Sequence, residues 1–215
     1  MALMSVDLMW NIIGSLSRRT RLHRVAVILI GVVLTAGLAA GSWALGLQLG
    51  GNIHTVEKGV LYRSAQLNGQ KFSEVITRYG IRTVINLRGG SHTDRWYQQE
   101  LDITTARGAT HFDVYMAATS EPTADVLDRL IEIMKTAAQP ILIHCNSGSD
   151  RAGLASALYE RFIRGRSAEA AAEQLSFRYG HFPWLGSGTV AMDRTFWRLS
   201  SQGLSIFDKD RTPHP

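Results

Sequence analysis

The chain has 215 residues, 45% of them hydrophobic and 19% charged, with a formal net charge of +5 and a single cysteine. One cysteine excludes an internal disulfide framework and leaves that thiol without an in-chain partner. Four arginines and one aspartate in residues 1–24 carry +3 of the +5 and leave +2 for the remainder, so the basic balance is a local signal and no nucleic-acid partner is expected.

Residues 1–24 read as a basic cytoplasmic leader, with the mostly apolar residues 1–17, Trp10 included, suited to a membrane surface. Residues 25–47 hold no charged side chain. As a helix they span about 35 Å, enough to cross the hydrocarbon core, and they are assigned as a transmembrane signal anchor. Arg18, Arg19, Arg21 and Arg24 precede this run. The positive-inside rule holds them in the cytoplasm and carries the C-terminal part across. The expected location is the cell membrane, single-pass, with the folded domain extracytoplasmic (periplasmic in a Gram-negative source). A cleaved signal peptide is the rival, since residues 36–42 are small. Its usual apolar core of roughly 7–15 residues is shorter than this run.

Beyond a Gly50-Gly51 linker the pattern alternates between strand and helix. Residues 61–66 read as a strand. Phe72, Val75, Ile76 and Tyr79 form one helical face stopped at Gly80. Residues 83–87 are apolar enough for a strand buried on both faces. A helix over 94–106 and a strand over 111–116 follow. Leu127, Leu130, Ile131 and Met134 make a second apolar stripe, and 140–145 is the expected central strand. Leu154, Leu158 and Phe162 line a helix ending at Gly165, and Ser167 caps another that closes at Gly180. The expectation is an α/β fold: a three-layer α/β/α domain over residues 53–200 with a mostly parallel sheet, preceded by one transmembrane helix and followed by a tail at 201–215, frayed from Lys209.

One segment carries chemistry. The central strand runs into Cys145, Arg151 stands six positions on, and a helix begins at once. Six successive backbone N–H groups, from Asn146 through Ser147, Gly148, Ser149 and Asp150 to Arg151, can curl toward one point, aided by the helix N-terminus. Arg151 closes the ring with two parallel bonds to phosphate oxygens. The same field favours the thiolate, which is the nucleophilic form. A thiolate beneath a phosphate cradle is read as a phosphatase working through a phosphocysteine. The competing reading is a buried structural cysteine at a strand end. A Cys–His hydrolase fits poorly, because adjacent His144 and Cys145 point to opposite faces of a strand; His144 is expected to brace the loop by a hydrogen bond. No Gly-x-x-x-x-Gly-Lys-[Ser/Thr] motif occurs, which excludes a nucleotide-binding loop of that type.

Four stretches resemble the dual-specificity-like cysteine phosphatases of the protein tyrosine phosphatase superfamily, in their bacterial and atypical plant and fungal branch. They are residues 61–66 (LYRSAQ), 79–88 (YGIRTVINLR), 120–122 (SEP) and 144–153 (HCNSGSDRAG). The resemblance covers about 150 residues and implies Cys145 as nucleophile and Arg151 as phosphate and transition-state clamp. The expected substrate is a phosphorylated protein carrying phosphotyrosine, or another phosphomonoester, and no cofactor or metal is expected. Three departures bear on chemistry. Ala152 stands where the family has Ser or Thr, whose hydroxyl helps the thiolate leave. Asn146 and Ser149 replace frequent lysines, which argues against an inositol polyphosphate. Residues 116–122 lack the usual acidic Asp, so Asp150 is the expected general acid and Glu121 the alternative. A weak acid suits aryl leaving groups. Two further readings stay open, a phosphoinositide or lipid phosphatase and a catalytically impaired phosphate-binding pseudophosphatase.

Bland roles are expected for several other residues. Trp184 and Trp197 pack the last helix, Asp113 is structural, and Arg63 and Arg88 enter ion pairs near strand ends. Trp96 and Tyr97 either rim the pocket or fill the core. His92, His111 and His181 show no metal-ligand spacing.

Overall fold

The computed structural model describes the backbone of residues 6–203 and Phe207, with side chains from residue 20 onward except 22. The expected surface-lying stretch 1–17 and frayed tail 209–215 lie outside these described side chains and residues. Two compact units divide the chain, Met1–Gly46 and Leu47–Pro215.

In the first unit runs α1 (Val6–Gly50), a single 45-residue helix whose last turn belongs to the second unit. Its portion His23–Gly50 has a mean hydropathy of 2.3 and is long and apolar enough to cross a membrane. Val25, Ile28, Leu34 and Leu49 on it are all more than half exposed.

The second unit is built on a five-stranded sheet of order β1-β2-β5-β3-β4. Its strands are β1 (His54–Glu57), β2 (Leu61–Ser64), β3 (Thr83–Asn86), β4 (Thr110–Asp113) and β5 (Ile141–His144). Only the β1–β2 hairpin is antiparallel; the other three pairings are parallel, as the apolar runs of β3 and β5 require. β1 is an edge strand, short, polar and bulged between Thr55 and Glu57, and the residue pattern held no sign of it.

Alternate strand residues feed two cores. Tyr62, Val84 and Leu142 meet Phe72, Val75 and Ile76 of α2 (Gly69–Tyr79), with Ile103 of α3 (Arg95–Ala106) packed against them. Leu61, Ile85, Ile141 and Ile143 face the opposite layer. There lie α4 (Ala124–Thr136), α5 (Asp150–Leu158) with a π-helical turn Tyr159–Ile163, and then α6 (Ala168–Ala172) and α7 (Val190–Ser201). The three-layer α/β/α expectation is met. The helix expected from Ser167 to Gly180 is in fact α6 plus a separate 3₁₀ turn, Phe177–Tyr179. Ser167 does cap α6, accepting from the Ala170 N–H at 3.2 Å.

Register places the site. Ser64, Asn86, Asp113 and His144 sit abreast at the carboxyl ends of the parallel strands. The loops that follow β2, β3, β4 and β5 therefore converge on one edge, where α/β sheets collect their ligands.

Candidate active site

Cys145 directly follows β5 with 1% exposure, and its Sγ accepts the Gly148 N–H at 3.2 Å. The loop between it and α5 is turned inside out by donors that surround it. The Asn146 carbonyl accepts from the Gln66 N–H at 3.1 Å. Ser147 O accepts Asn52 Nδ2 at 2.9 Å and Gln48 Nε2 at 3.1 Å. Gly148 O and Ser149 O both accept Arg63 Nη2, at 2.8 and 3.0 Å. A planar trans peptide points the N–H of residue i+1 opposite to the C=O of residue i. Four outward carbonyls thus aim the N–H groups of Ser147, Gly148, Ser149 and Asp150 inward, and the Gly148–Sγ bond is the direct trace of it. Gly148 has φ +73°, and a Cβ there would come within 2.6 Å of Ala65 N, so the loop lies flush against the end of β2.

Arg63 organises this arrangement from a fully buried position. Besides the two loop carbonyls, its Nη1 donates to Gln174 O and Oε1 at 2.8 and 2.9 Å, and the guanidinium lies 4.3 Å from the centre of the Tyr179 ring. Burial pulls its pKa down to about 10, opposed by the negative groups it faces, Tyr179, Cys145 and Asp150 among them. The expected ion pair is replaced by a set of carbonyls, because the loop offers buried oxygens and no carboxylate within reach. Arg88, the other expected ion-pair residue, instead stacks 4.1 Å above the Trp96 ring. Asn52 is a second hub: φ +46°, 2% exposed, and bonded through Nδ2 to Ser147 O and Tyr179 O and through Oδ1 to His54 Nε2.

Behind Cys145 the His144 ring faces the other layer. Its bond runs to Glu100 Oε1 on α3 at 2.9 Å, not to the loop. The same oxygen accepts His111 Nε2 at 2.9 Å, and Oε2 accepts Gln66 Nε2 at 2.8 Å. Burial alone would raise Glu100, but His144, His111 and Gln66 outweigh it and hold the carboxyl down at about 2. Gln66 links this cluster to the loop by donating its backbone N–H to Asn146 O.

The structure brings together most of the expected site residues. Arg151 Nη1 reaches the carbonyls of Leu87 and Met116 at 3.4 Å each, while its buried Nε has no hydrogen-bond partner. Ala152 is wholly buried in the core below. Asp150 opens α5 but does not pair with Arg151; its Oδ1 bonds His181 Nδ1 at 2.7 Å. Glu121 is directed elsewhere, to Arg198 Nε of α7 at 3.1 Å, in a half-exposed ion pair. Asp113 is structural as expected, accepting from Asn86 Nδ2 at 2.8 Å and from the Tyr97 hydroxyl. Tyr97 is core and held by that bond, and its hydroxyl is pushed up to about 12 by burial and by Asp113. Trp184 and Trp197 do not pack inward: they are 55% and 46% exposed, and the wholly buried Phe196 fills α7's contact with the core instead. Glu100, Asn52, His181 and Asp193 were not found by sequence reasoning. Each acts through a partner far away in the chain, and only the Arg63 and Gln66 stretch gave a signal.

An α/β/α sheet with a buried thiol in an amide cradle at its strand ends defines a class, and comparison agrees with it. The chain belongs to the tyrosine phosphatase family, whose model matches residues 46–173. It is 27% identical over 142 residues to the dual specificity protein phosphatase TpbA of Pseudomonas aeruginosa, covering 66% of this chain and 61% of that one. The chain thus spans less than two thirds of that relative's length. Among solved structures, the catalytic domain of the S. cerevisiae PP-IP phosphatase SIW14 superposes with a TM-score of 0.54 at 23% identity, over 70% of this chain and 91% of that one. P. aeruginosa TpbA does so with a TM-score of 0.53 at 21% identity, over 69% and 91%. Tk-PTP gives 0.56 at 17%, over 71% and 98%. These likenesses identify the fold.

Proposed function

We propose that this protein is a cysteine-dependent phosphomonoesterase, acting on phosphotyrosine or another aryl phosphate and held at a membrane by residues 25–47. The observation that carries the reading is the inside-out loop. Its carbonyls are bound from outside by Gln66, Gln48, Asn52 and Arg63, and the Gly148 N–H donates to the Cys145 sulfur.

A phosphoryl group seated there accepts the amides of Asn146 to Asp150 and the fork of Arg151, whose unpartnered Nε is ready for an oxygen. The Cys145 thiolate attacks phosphorus, the bond to the leaving oxygen breaks, and that oxygen takes a proton from Asp150. Water then attacks the phosphocysteine, its proton passes to Asp150, and the thiolate leaves. Asp150 is preferred to Glu121 because it opens the helix at the cradle, whereas Glu121 is committed to Arg198. TpbA, with which this chain shares its fold, has been crystallised as a cysteine-to-serine form in complex with pTyr, which supports the phosphotyrosine assignment.

Lipid phosphomonoesters are a second reading, favoured by one observation. The stretch His23–Gly50 is long and apolar enough to cross a membrane, which would hold the enzyme where lipid substrates are found. The domain is proposed to be extracytoplasmic, on the arginine bias before the helix.

The test compares p-nitrophenyl phosphate, a phosphotyrosyl peptide and a phosphoinositide with wild type and Cys145→Ser, and traps the phosphocysteine by mass spectrometry at low pH. Turnover abolished by Cys145→Ser with a trapped adduct of one phosphate supports the enzyme. A single stoichiometric burst identifies a stalled trap, and phosphate binding without any product identifies a pseudophosphatase.

A further inference from the structure

Three side chains remote in sequence form a chain that leads away from the cradle. Asp150 Oδ1 bonds His181 Nδ1 at 2.7 Å, and His181 Nε2 bonds Asp193 Oδ2 at 2.8 Å. The imidazole is wholly buried, while the two carboxyl side chains keep 17% and 24% exposure. A buried ring with a carboxylate on each nitrogen has both nitrogens as donors, which is the imidazolium form. Its pKa accordingly rises to about 9: burial opposes the charge, and the bonds to Asp150 and Asp193 overcome it.

The ring cannot swing away. Gly180, at φ +81°, brings the chain round after the 3₁₀ turn, and a Cβ there would lie 3.0 Å from Ser149 Oγ. Tyr179 is fixed from both sides, by Asn52 on its carbonyl and by Arg63 on its ring face. Asp193 comes from the first turn of α7, which is rooted by buried Met192 and Phe196. The charged groups acting on the ring are Asp150 from α5 and Asp193 from α7, and Arg63 from β2 acts on Asp150.

We propose that His181, with Asp193 behind it, is a positioning residue for proton transfer at Asp150. Bonding to Oδ1 fixes the carboxyl group beside the cradle and assigns the proton-carrying role to Oδ2. The phosphomonoester enters as its monoanion and passes its proton to Oδ2 of the Asp150 carboxylate, where the bound dianion favours the protonated carboxyl. In the first half-reaction the P–O bond breaks and that proton goes to the leaving oxygen. In the second, water forms the new P–O bond, the P–S bond breaks, and the water proton returns to Oδ2. His181 keeps both of its protons throughout. The inference rests on the phosphatase reading and on Asp150 as its acid.

The experiment uses the full chain in detergent micelles with phosphoserine peptide and p-nitrophenyl phosphate, since only the serine alkoxide needs a proton to leave. His181→Ala is expected to lose at least about tenfold more kcat on phosphoserine than on p-nitrophenyl phosphate, with KM changed less than about twofold. His181→Asn, whose amide donor replaces Nδ1–H, is expected to recover most of that difference. Asp193→Asn is expected to move the alkaline loss of phosphoserine activity to lower pH by about one unit or more, since it removes one of the two charges that hold the imidazolium. Equal losses on the two substrates, no recovery with Asn, or an unmoved alkaline limb overturns the proposal. Imidazole NMR of Cys145→Ser protein provides a readout independent of turnover. A His181 midpoint above about pH 8 supports the chain, and one near the free value of about 6.5 overturns it. Absence of any Cys145-dependent turnover in wild type, with the NMR midpoint still high, refutes the phosphatase reading instead.

Discussion

Arg63 offers the sharpest test of how the cradle is held, because it supports the loop without belonging to it. Its guanidinium donates four hydrogen bonds, two to Gln174 and one each to the carbonyls of Gly148 and Ser149. Bonds from a charged donor contribute about 1.5 kcal/mol each at the lower end, about 6 kcal/mol together. Burial of the charge, which pulls the pKa from its ordinary value to about 10, costs about 3 kcal/mol at roughly 1.4 kcal/mol per unit. Arg63→Met removes both contributions, fills the volume, and is expected to destabilise the domain by about 3 kcal/mol, or roughly 6–12 °C in Tm. Activity is expected to fall further than stability explains. Released carbonyls let the 148–149 peptides turn, and each amide lost from an anion site of this kind costs about a hundredfold or more in kcat. Calorimetry and p-nitrophenyl phosphate kinetics, taken well below the variant's Tm, separate the two effects. Should Arg63→Met lose stability yet keep kcat/KM within about threefold, the claim that outward carbonyls create the anion site is wrong.

Other perturbations read other parts of the same construction. Gly148→Ala places a Cβ 2.6 Å from Ala65 N at a φ of +73°, and is expected to lower kcat/KM at least about tenfold with the far-ultraviolet CD spectrum unchanged. Glu100 is held at about 2 in the folded protein against 4.5 as its ordinary value. A depressed carboxyl stabilises above its unfolded pKa, so about 3 kcal/mol is present above pH 4.5 and is lost as pH falls toward 2. Tm measured from about pH 6 to about pH 2 should drop more steeply in wild type than in Glu100→Gln, and parallel curves would show that the His144–Glu100–His111 cluster has no such role. Ala152→Ser restores a hydroxyl one residue after Arg151 and is expected to raise steady-state turnover about threefold or more while leaving the pre-steady-state burst rate unchanged; a quench-flow time course decides it.

The fold was legible where burial imposed periodicity. β3 and β5 lie buried on both faces, so their apolar runs had no competing interpretation, and the stripes of α2 and α4 came from one-sided packing. β1 escaped because an edge strand of four residues, His-Thr-Val-Glu, needs no apolar alternation. The expected helix between Ser167 and Gly180 was too long, since Ser176 in extended backbone (φ −131°, ψ 161°) separates α6 from the 3₁₀ turn. Trp184 and Trp197 misled for a different reason: size was taken as a sign of burial, while the core of α7 is filled by Phe196 and Met192.

At the site, local chemistry was legible and long-range chemistry was not. The strand, the cysteine, the glycine and the arginine stand in one short segment, so the cradle could be read from spacing and elementary peptide geometry. What turns its carbonyls outward comes from positions 48, 52, 63 and 66, contributed by side-chain and backbone donors whose targets are set by tertiary contact alone. The acid shows the same division. Asp150 was visible because it sits inside the motif, but His181 is 31 residues further on and Asp193 another 12. Neither spacing matches a helix turn, a strand repeat or a ligand motif, so no pattern along the chain joins them. A carboxylate in a cradle is by itself ambiguous between a helix-start residue, a partner for Arg151 and a proton carrier. The structure removes the second of these, because Arg151 turns to the carbonyls of Leu87 and Met116 and Asp150 turns to a buried ring. It also weakens the first, since a residue that only favours a helix start has no reason to hold an imidazole that is itself held by a second carboxylate. A buried imidazole held between two partly exposed carboxylates is costly to desolvate, and such perturbed groups cluster at functional sites. The step available here is the proton exchanged with the oxygen that leaves the phosphoryl group.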